Sequence, residues 1–131
     1  MILGNRTLKQ SPRTLPRKKR LSAIARALPE ADVSGGQHLT FRVGRRTFGY
    51  YLDNHHRDGR IALACKAAAG EQGRLVARHP RRFFVPPYLG HHGWIGLRLD
   101  QHKIDWAEVT FLLLSAYRLT AARRLVSRLP E

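Results

Sequence analysis

The sequence predicts an α+β domain. Two layers are expected: a largely antiparallel, five-stranded sheet and helices on one face of it, in the order α-β-β-β-α-β-β-α. Three observations predict this. Short runs alternate apolar with polar residues, as strands with one buried face do. Stretches at both ends repeat apolar residues at helical spacing. Tight turns join neighbouring strands, so the sheet is antiparallel, and its single apolar face calls for helices on one side.

The first helix follows Pro16, a residue suited to an opening helical turn. "PRKKRLSAIARALPEA" places Leu21, Ile24, Ala25 and Leu28 on one face, and Pro29 should stop the helix near Leu28. Ser34-Gly35-Gly36 reads as a loop. Leu39, Phe41 and Val43 then point one way and Thr40 and Arg42 the other. After Gly44-Arg45, strict alternation sends Phe48, Tyr50 and Leu52 inward and Thr47, Gly49 and Tyr51 outward. A Gly-X pair between two strands is a tight hairpin, type II′ by preference. "DNHHRDG" (53–59) is a second turn. A third strand follows, with Ile61, Leu63 and Cys65 facing inward.

Residues 66–79 read as a short helix weakened by Gly70 and Gly73. "RFFV" is a brief strand broken by Pro86-Pro87. "WIGLRLD" turns Ile95, Leu97 and Leu99 inward, against Trp94, Gly96 and Arg98. A long closing helix is capped by Asp105 and runs to about Arg128. Its inner stripe is Trp106, Val109, Leu113, Ala116 and Tyr117. Arg118, Arg123, Arg124 and Arg128 in its second half suit the negative end of the helix dipole.

A length of 131 residues suits one domain. Residues 1–16 read as a flexible basic arm and 17–131 as a single domain. The apolar runs, such as Phe111 to Leu114, are far below the ~20 residues of a membrane span. The single cysteine, Cys65, cannot form an internal disulfide and sits in apolar "RIALAC" as a small buried hydrophobe. The N-terminus lacks the apolar core of a secretory signal. The expectation is a cytoplasmic protein with no membrane association.

Charge is the strongest functional signal. Lys and Arg number 24 against 9 Asp and Glu, a net charge of +15. Seven of these net charges fall in the first 20 residues, and eight remain on the other 111. Polyanions are the natural partners of such a surface. Arg outnumbers Lys 19 to 5, a bias that genomic base composition also produces.

Three stretches in order, "LTFRVGRRTFGYYL", "RFFVPPYLGHHGWIGLRLD" and "DWAEVTFLLLSAYRLTAARRL", make the chain resemble the MmcQ/YjbR-like family over about residues 20–129. The resemblance implies an open antiparallel sheet in a compact α+β domain, of the kind grouped with secretion-chaperone-like folds. It also implies DNA binding, by likeness to a double-wing module. The family supplies no catalytic residue to carry over, and Phe41, Phe48, Trp94 and Tyr117 match it as packing positions. The histidine-rich turn and the basic arm depart from its pattern.

Strand parity places Arg42, Tyr51, Arg60, Trp94 and Arg98 together on the helix-free face. Rings interleaved with cations can stack bases and neutralise phosphates. The hairpin tip Arg45-Arg46 is a candidate wing, since Arg fits phosphate bidentately. With Arg17, Lys18, Lys19 and Arg20 it would meet about six phosphates, and affinity would fall roughly 10³-fold between 50 and 200 mM salt. These eleven residues are the candidate nucleic-acid-binding set, with DNA the expected partner.

The alternatives stay open. The small Gly49, Ala62, Ala64 and Gly96 could seat a protein partner or a second copy, on the sheet face or an edge strand. His55-His56 and His91-His92 could hold a metal or small ligand, but adjacent residues diverge and no further ligand stands at a recognisable spacing. No phosphate loop, G-x-S-x-G or C-x-x-C occurs. No enzyme activity, cofactor or metal is expected.

Overall fold

The computed structural model describes residues 14–130. The elements are α1 (Thr14–Arg26), β1 (Ala31–Gly35), β2 (Leu39–Val43), β3 (Arg46–Asp53), β4 (Ile61–Cys65), α2 (Glu71–Arg78), β5 (Phe83–Phe84), β6 (Ile95–Arg98), α3 (Trp106–Thr120) and α4 (Arg123–Val126). Short 3₁₀ turns cover His55–Arg57 and Gly90–His92. Six strands form one antiparallel sheet in the spatial order β1-β2-β3-β4-β6-β5.

The sheet therefore has six strands where the sequence predicts five. The extra one is β1, "ADVSG", which has one sizeable apolar side chain and so shows no alternation. It is an edge strand defined by its pairing with β2, from Ala31↔Val43 to Gly35↔Leu39. Gly35 closes it at φ +122°; a Cβ there would sit 2.2 Å from the His38 carbonyl oxygen. At the N-terminus the helix begins at Thr14, so residues 14–16 belong to it rather than to an arm. Residues 1–13 lie outside the described residues.

The β2–β3 turn is as expected. Gly44 has φ +62° and Arg45 is not left-handed, the type II′ pattern. The strand after it departs from strict alternation. Phe41 pairs with Gly49 but Arg42 pairs with Thr47, so Phe48 is the extra residue of a β-bulge. Such a bulge re-aims one side chain and shifts parity beyond it. Phe48 turns into the core against Phe41 and, edge to face at 5.5 Å, Tyr117. Beyond the bulge Tyr51 points inward, opposite Leu39 and Leu63, while Tyr50 and Leu52 point outward.

The core lies between the inward sheet face and the helices: Leu21 and Ala25 of α1, Leu75 of α2, Val109, Leu112, Leu113, Ala116 and Tyr117 of α3, and Leu125 of α4. Burial of this apolar face is the main stabilising term. Asp105 caps α3 as expected, accepting the amide hydrogens of Ala107 and Glu108 at 3.1 and 3.2 Å. The predicted long helix stops at Thr120. Ala121 and Ala122 are extended (ψ 155° and 149°), and the chain restarts as α4 with Leu125 turned into the core. Arg123 and Arg124 thus open a helix instead of ending one, where the dipole gives them no support.

Candidate nucleic-acid interface

The sequence-predicted residues divide into three groups. On α1, Arg17 donates to the carbonyl oxygens of Leu99 (2.7 Å), Gln101 and His102 (3.0 Å), tying the helix to the loop after β6. Lys18 donates to the Gly36 carbonyl at 2.6 Å and lies 5.5 Å from the Tyr51 ring centroid. Arg20 stacks over Trp106 at 4.6 Å, and Lys19 is exposed. Gly36 belongs to the β1–β2 turn, at the opposite end of the sheet from Gly44. The basic start of α1 and the hairpin tip therefore do not form the single cluster that the sequence suggests.

The second group is the helix-free sheet face. Tyr51 does not belong to it: the bulge at Phe48 turns the ring into the core, where it is 1% exposed. Burial pushes its phenol pKa well up, with the Asp53 charge adding to the effect. Trp94 is on the expected face but only 7% exposed, packed on Tyr50 at 5.7 Å between ring centroids. Ala62, Ala64 and Gly96 are buried too. The cover is the protein's own chain. Phe84 lies over Gly96 so closely that a Cβ there would be 2.6 Å from its ring, and Pro87–Leu89 fold back toward Thr40, Tyr50 and Leu52.

The two arginines at that edge are already engaged. Arg60 sits 4.0 Å over the Phe84 ring and 3.9 Å from Asp58. Arg98 donates twice to Asp100, at 3.0 and 3.1 Å, which raises its pKa. The open ring-and-cation wall expected from parity is therefore absent from the middle of this face.

The third group keeps its promise of exposure. Arg42, Arg45 and Arg46 are all exposed, and among the described residues none makes an ion pair. The tip borders a cleft of about 330 Å³ lined by Arg45, Arg46 and Arg124, with Glu30 its only acid. Glu30 is held by Arg124 (3.2 Å) and Arg128 (3.5 Å), and the Arg124 hydrogen bond keeps its carboxyl below the usual range. Arg124 was invisible as a partner of the tip in sequence, because only the break at Ala121-Ala122 brings α4 to the hairpin. The spacing of charges 78 residues apart carries no such signal.

Cys65 is buried and its thiol donates weakly to the Leu112 carbonyl. Burial pushes its pKa to about 12, so it is an inert core residue, as its apolar setting suggests. Among the described residues no three or more His, Cys, Asp or Glu are placed to hold a metal ion. No helix among them is long and apolar enough to cross a membrane.

With this geometry in view, comparison is decisive for the family. The YjbR family model matches residues 26–119. The chain belongs to the YjbR family. This chain is also similar to a solved structure, the crystal structure of Deinococcus radiodurans protein DR2400, of family-model domain DUF419. The two superpose with a TM-score of 0.65 at 20% identity, over 78% of this chain and 76% of that one. At that identity the likeness speaks for the shared α+β fold alone. No curated protein matches the chain.

Proposed function

We propose that this YjbR protein is a small non-enzymatic nucleic-acid-binding protein. It holds the phosphate backbone, most readily of DNA, in the arginine cleft between the β2–β3 hairpin and α4. One observation carries the reading: Arg45 and Arg46 stand exposed without an ion pair, in one cleft with Arg124, while Arg42 is exposed on the neighbouring sheet face. Arginine is the side chain best matched to phosphate oxygens. Glu30 neutralises part of the α4 charge through Arg124 and Arg128 and makes no ion pair with the tip arginines. Contacts of this type position a backbone and read no base, so affinity is high in low salt and weakly dependent on sequence.

The test is a salt titration of labelled duplex and single-stranded oligonucleotides. The reading predicts a steep log–log slope and a loss on Arg45→Gln/Arg46→Gln. Absence of binding in low salt ends it.

A protein-partner reading has one observation behind it. Phe111 (66% exposed) and Leu119 (49%) border a cleft with Ala67–Ala69, with Lys66 and Arg118 also in its lining and none of the hairpin arginines. Exposed apolar patches of this kind mark association surfaces. Light scattering over a concentration series, with Phe111→Lys as control, decides whether a second copy occupies it.

A further inference from the structure

The base of the β2–β3 hairpin carries a cavity that the phosphate-binding reading does not use. It measures about 320 Å³ and is walled by Thr40, Tyr50 and Leu52 from the sheet, by His55 and His56 on one side, and by Tyr88 on the other. That is the lower end of ligand-site volumes, enough for one or two fused rings. Its floor is fixed, because Tyr50 rests on buried Trp94.

Three features set it apart from a packing fault. The first is backbone conformation. Of the five non-glycine residues with positive φ among the described residues, two line this cavity, His56 (53°) and Tyr88 (67°), and two more, Asn54 (54°) and Arg57 (61°), flank His55-His56 in the chain. They come from two separate loops, and His56 and Tyr88 bring their rings within 4.9 Å of each other. Left-handed conformations at non-glycine residues persist where side chains must be aimed, and they concentrate at binding sites.

The second is a polar atom without a partner. His55 Nδ1 is buried and makes no hydrogen bond. Buried polar atoms are nearly always satisfied, so an unsatisfied one requires an explanation, and a bound ligand is one. The third is charge. No Asp, Glu, Lys or Arg lines the cavity. Burial first, then the His56 and His38 rings, hold the His55 pKa down, so this imidazole is neutral near pH 7 and offers one donor and one acceptor nitrogen. An anionic or cationic ligand would find no counter-charge here. A flat neutral ring with a hydrogen-bonding edge would find aromatic walls and the imidazole rings of His55 and His56.

We propose that this cavity binds a neutral planar nitrogen heterocycle of the nucleobase type. The ring has two sources: a free nucleoside, or an unpaired base of a strand whose phosphates reach the hairpin arginines. The second source rests on the phosphate-binding reading; the first does not.

The experiment is NMR titration of the histidine and Tyr50 ring signals of the full chain. The probes are adenosine, guanosine, cytidine and uridine up to about 10 mM. Single strands with and without an abasic stretch are then titrated in low salt. Two variants accompany each titration. Tyr88→Gly places glycine where φ is already positive, so thermal stability holds or rises while the ring is lost. His55→Phe keeps a ring and removes both nitrogens.

Saturable shifts with a nucleoside, weakened about tenfold or more in both variants, establish the free-ligand source. No shift with nucleosides, but tighter binding of the normal strand than the abasic one and loss of that preference in Tyr88→Gly, establishes the strand source. Silence toward nucleosides, with abasic and normal strands bound equally, overturns the proposal and leaves the phosphate reading standing. Silence toward every probe overturns both.

Discussion

The two ends of the β2–β3 hairpin are built from the same two strands and share almost no chemistry. At the tip, Gly44 makes a type II′ turn, and Arg45 and Arg46 stand in solvent without an ion pair among the described residues. At the base, His38, His55 and His56 crowd together, with ring centroids 5.4 and 4.0 Å apart, and left-handed residues aim rings at a cavity. The border between them is the bulge at Phe48, where parity changes. Before it lie Arg46 and Thr47; after it, Tyr50 and Leu52 face the cavity. One inserted residue lets a single ribbon carry a polyanion-seeking end and a ring-seeking end.

The comparison can be broken at its border. Phe48 is fully buried against Phe41 and Tyr117, so Phe48→Ala should cost about 3–5 kcal/mol of stability. Chemical denaturation measures this. A loss below about 1 kcal/mol would mean that the bulge residue does not anchor the ribbon.

A smaller effect is expected from Gly96→Ala. Its Cβ would meet the Phe84 ring at 2.6 Å, and overpacking of this kind costs about 1–3 kcal/mol. Phe84 would shift and carry the cover of the base with it. Cavity-facing signals from Tyr50 should therefore move, while signals from Arg45 and Arg46 should not. Equal disturbance at both ends would contradict their independence.

The two ends should also differ in their response to pH. The His55 pKa is lowered in the fold, so the unfolded chain takes up the proton first. Its contribution to stability is complete above the unfolded value of about 6.5 and falls as pH drops through the lowered folded value. His55→Phe should flatten this limb of the stability curve. Beside the tip, Glu30, whose pKa is lowered chiefly by its Arg124 hydrogen bond, responds only in acid. An unchanged limb in His55→Phe would remove the base from the account.

The smallest effect on stability belongs to the tip itself. Arg42→Gln, Arg45→Gln and Arg46→Gln are exposed changes without ion-pair partners, so each should alter stability by no more than about 0.5 kcal/mol. Calorimetry reads this directly, and a larger loss would mean that the tip arginines serve the fold.

Much of the fold was legible in sequence because it follows from repeating patterns. Alternation located β2, β4 and β6, Gly44-Arg45 located the hairpin, and Asp105 located the cap of α3. What escaped were single-residue events with no periodic signal. The bulge reversed Tyr51 and Tyr50, and two ordinary alanines ended α3 at Thr120, well short of Arg128. β1 escaped because pairing with β2, rather than its own composition, makes it a strand.

The candidate site divides in the same way. Arg42, Arg45 and Arg46 were readable because turn arginines are exposed almost by geometry. Trp94 was placed on the correct face, but its cover, Phe84 and the loop to Leu89, depends on tertiary folding of a Pro-Pro segment that local propensity does not specify. The histidine pair was visible as residues. Its meeting with Tyr88 required two loops to converge.

The claim at the centre of this account is that the hairpin tip, and not the sheet wall, meets a polyanion. The most direct measurement is the slope of log affinity against log salt for duplex DNA, in the natural chain and in the Arg45→Gln/Arg46→Gln variant. The account predicts a slope shallower by about 2 in the variant, one for each lost phosphate contact. An unchanged slope with undiminished affinity would contradict it.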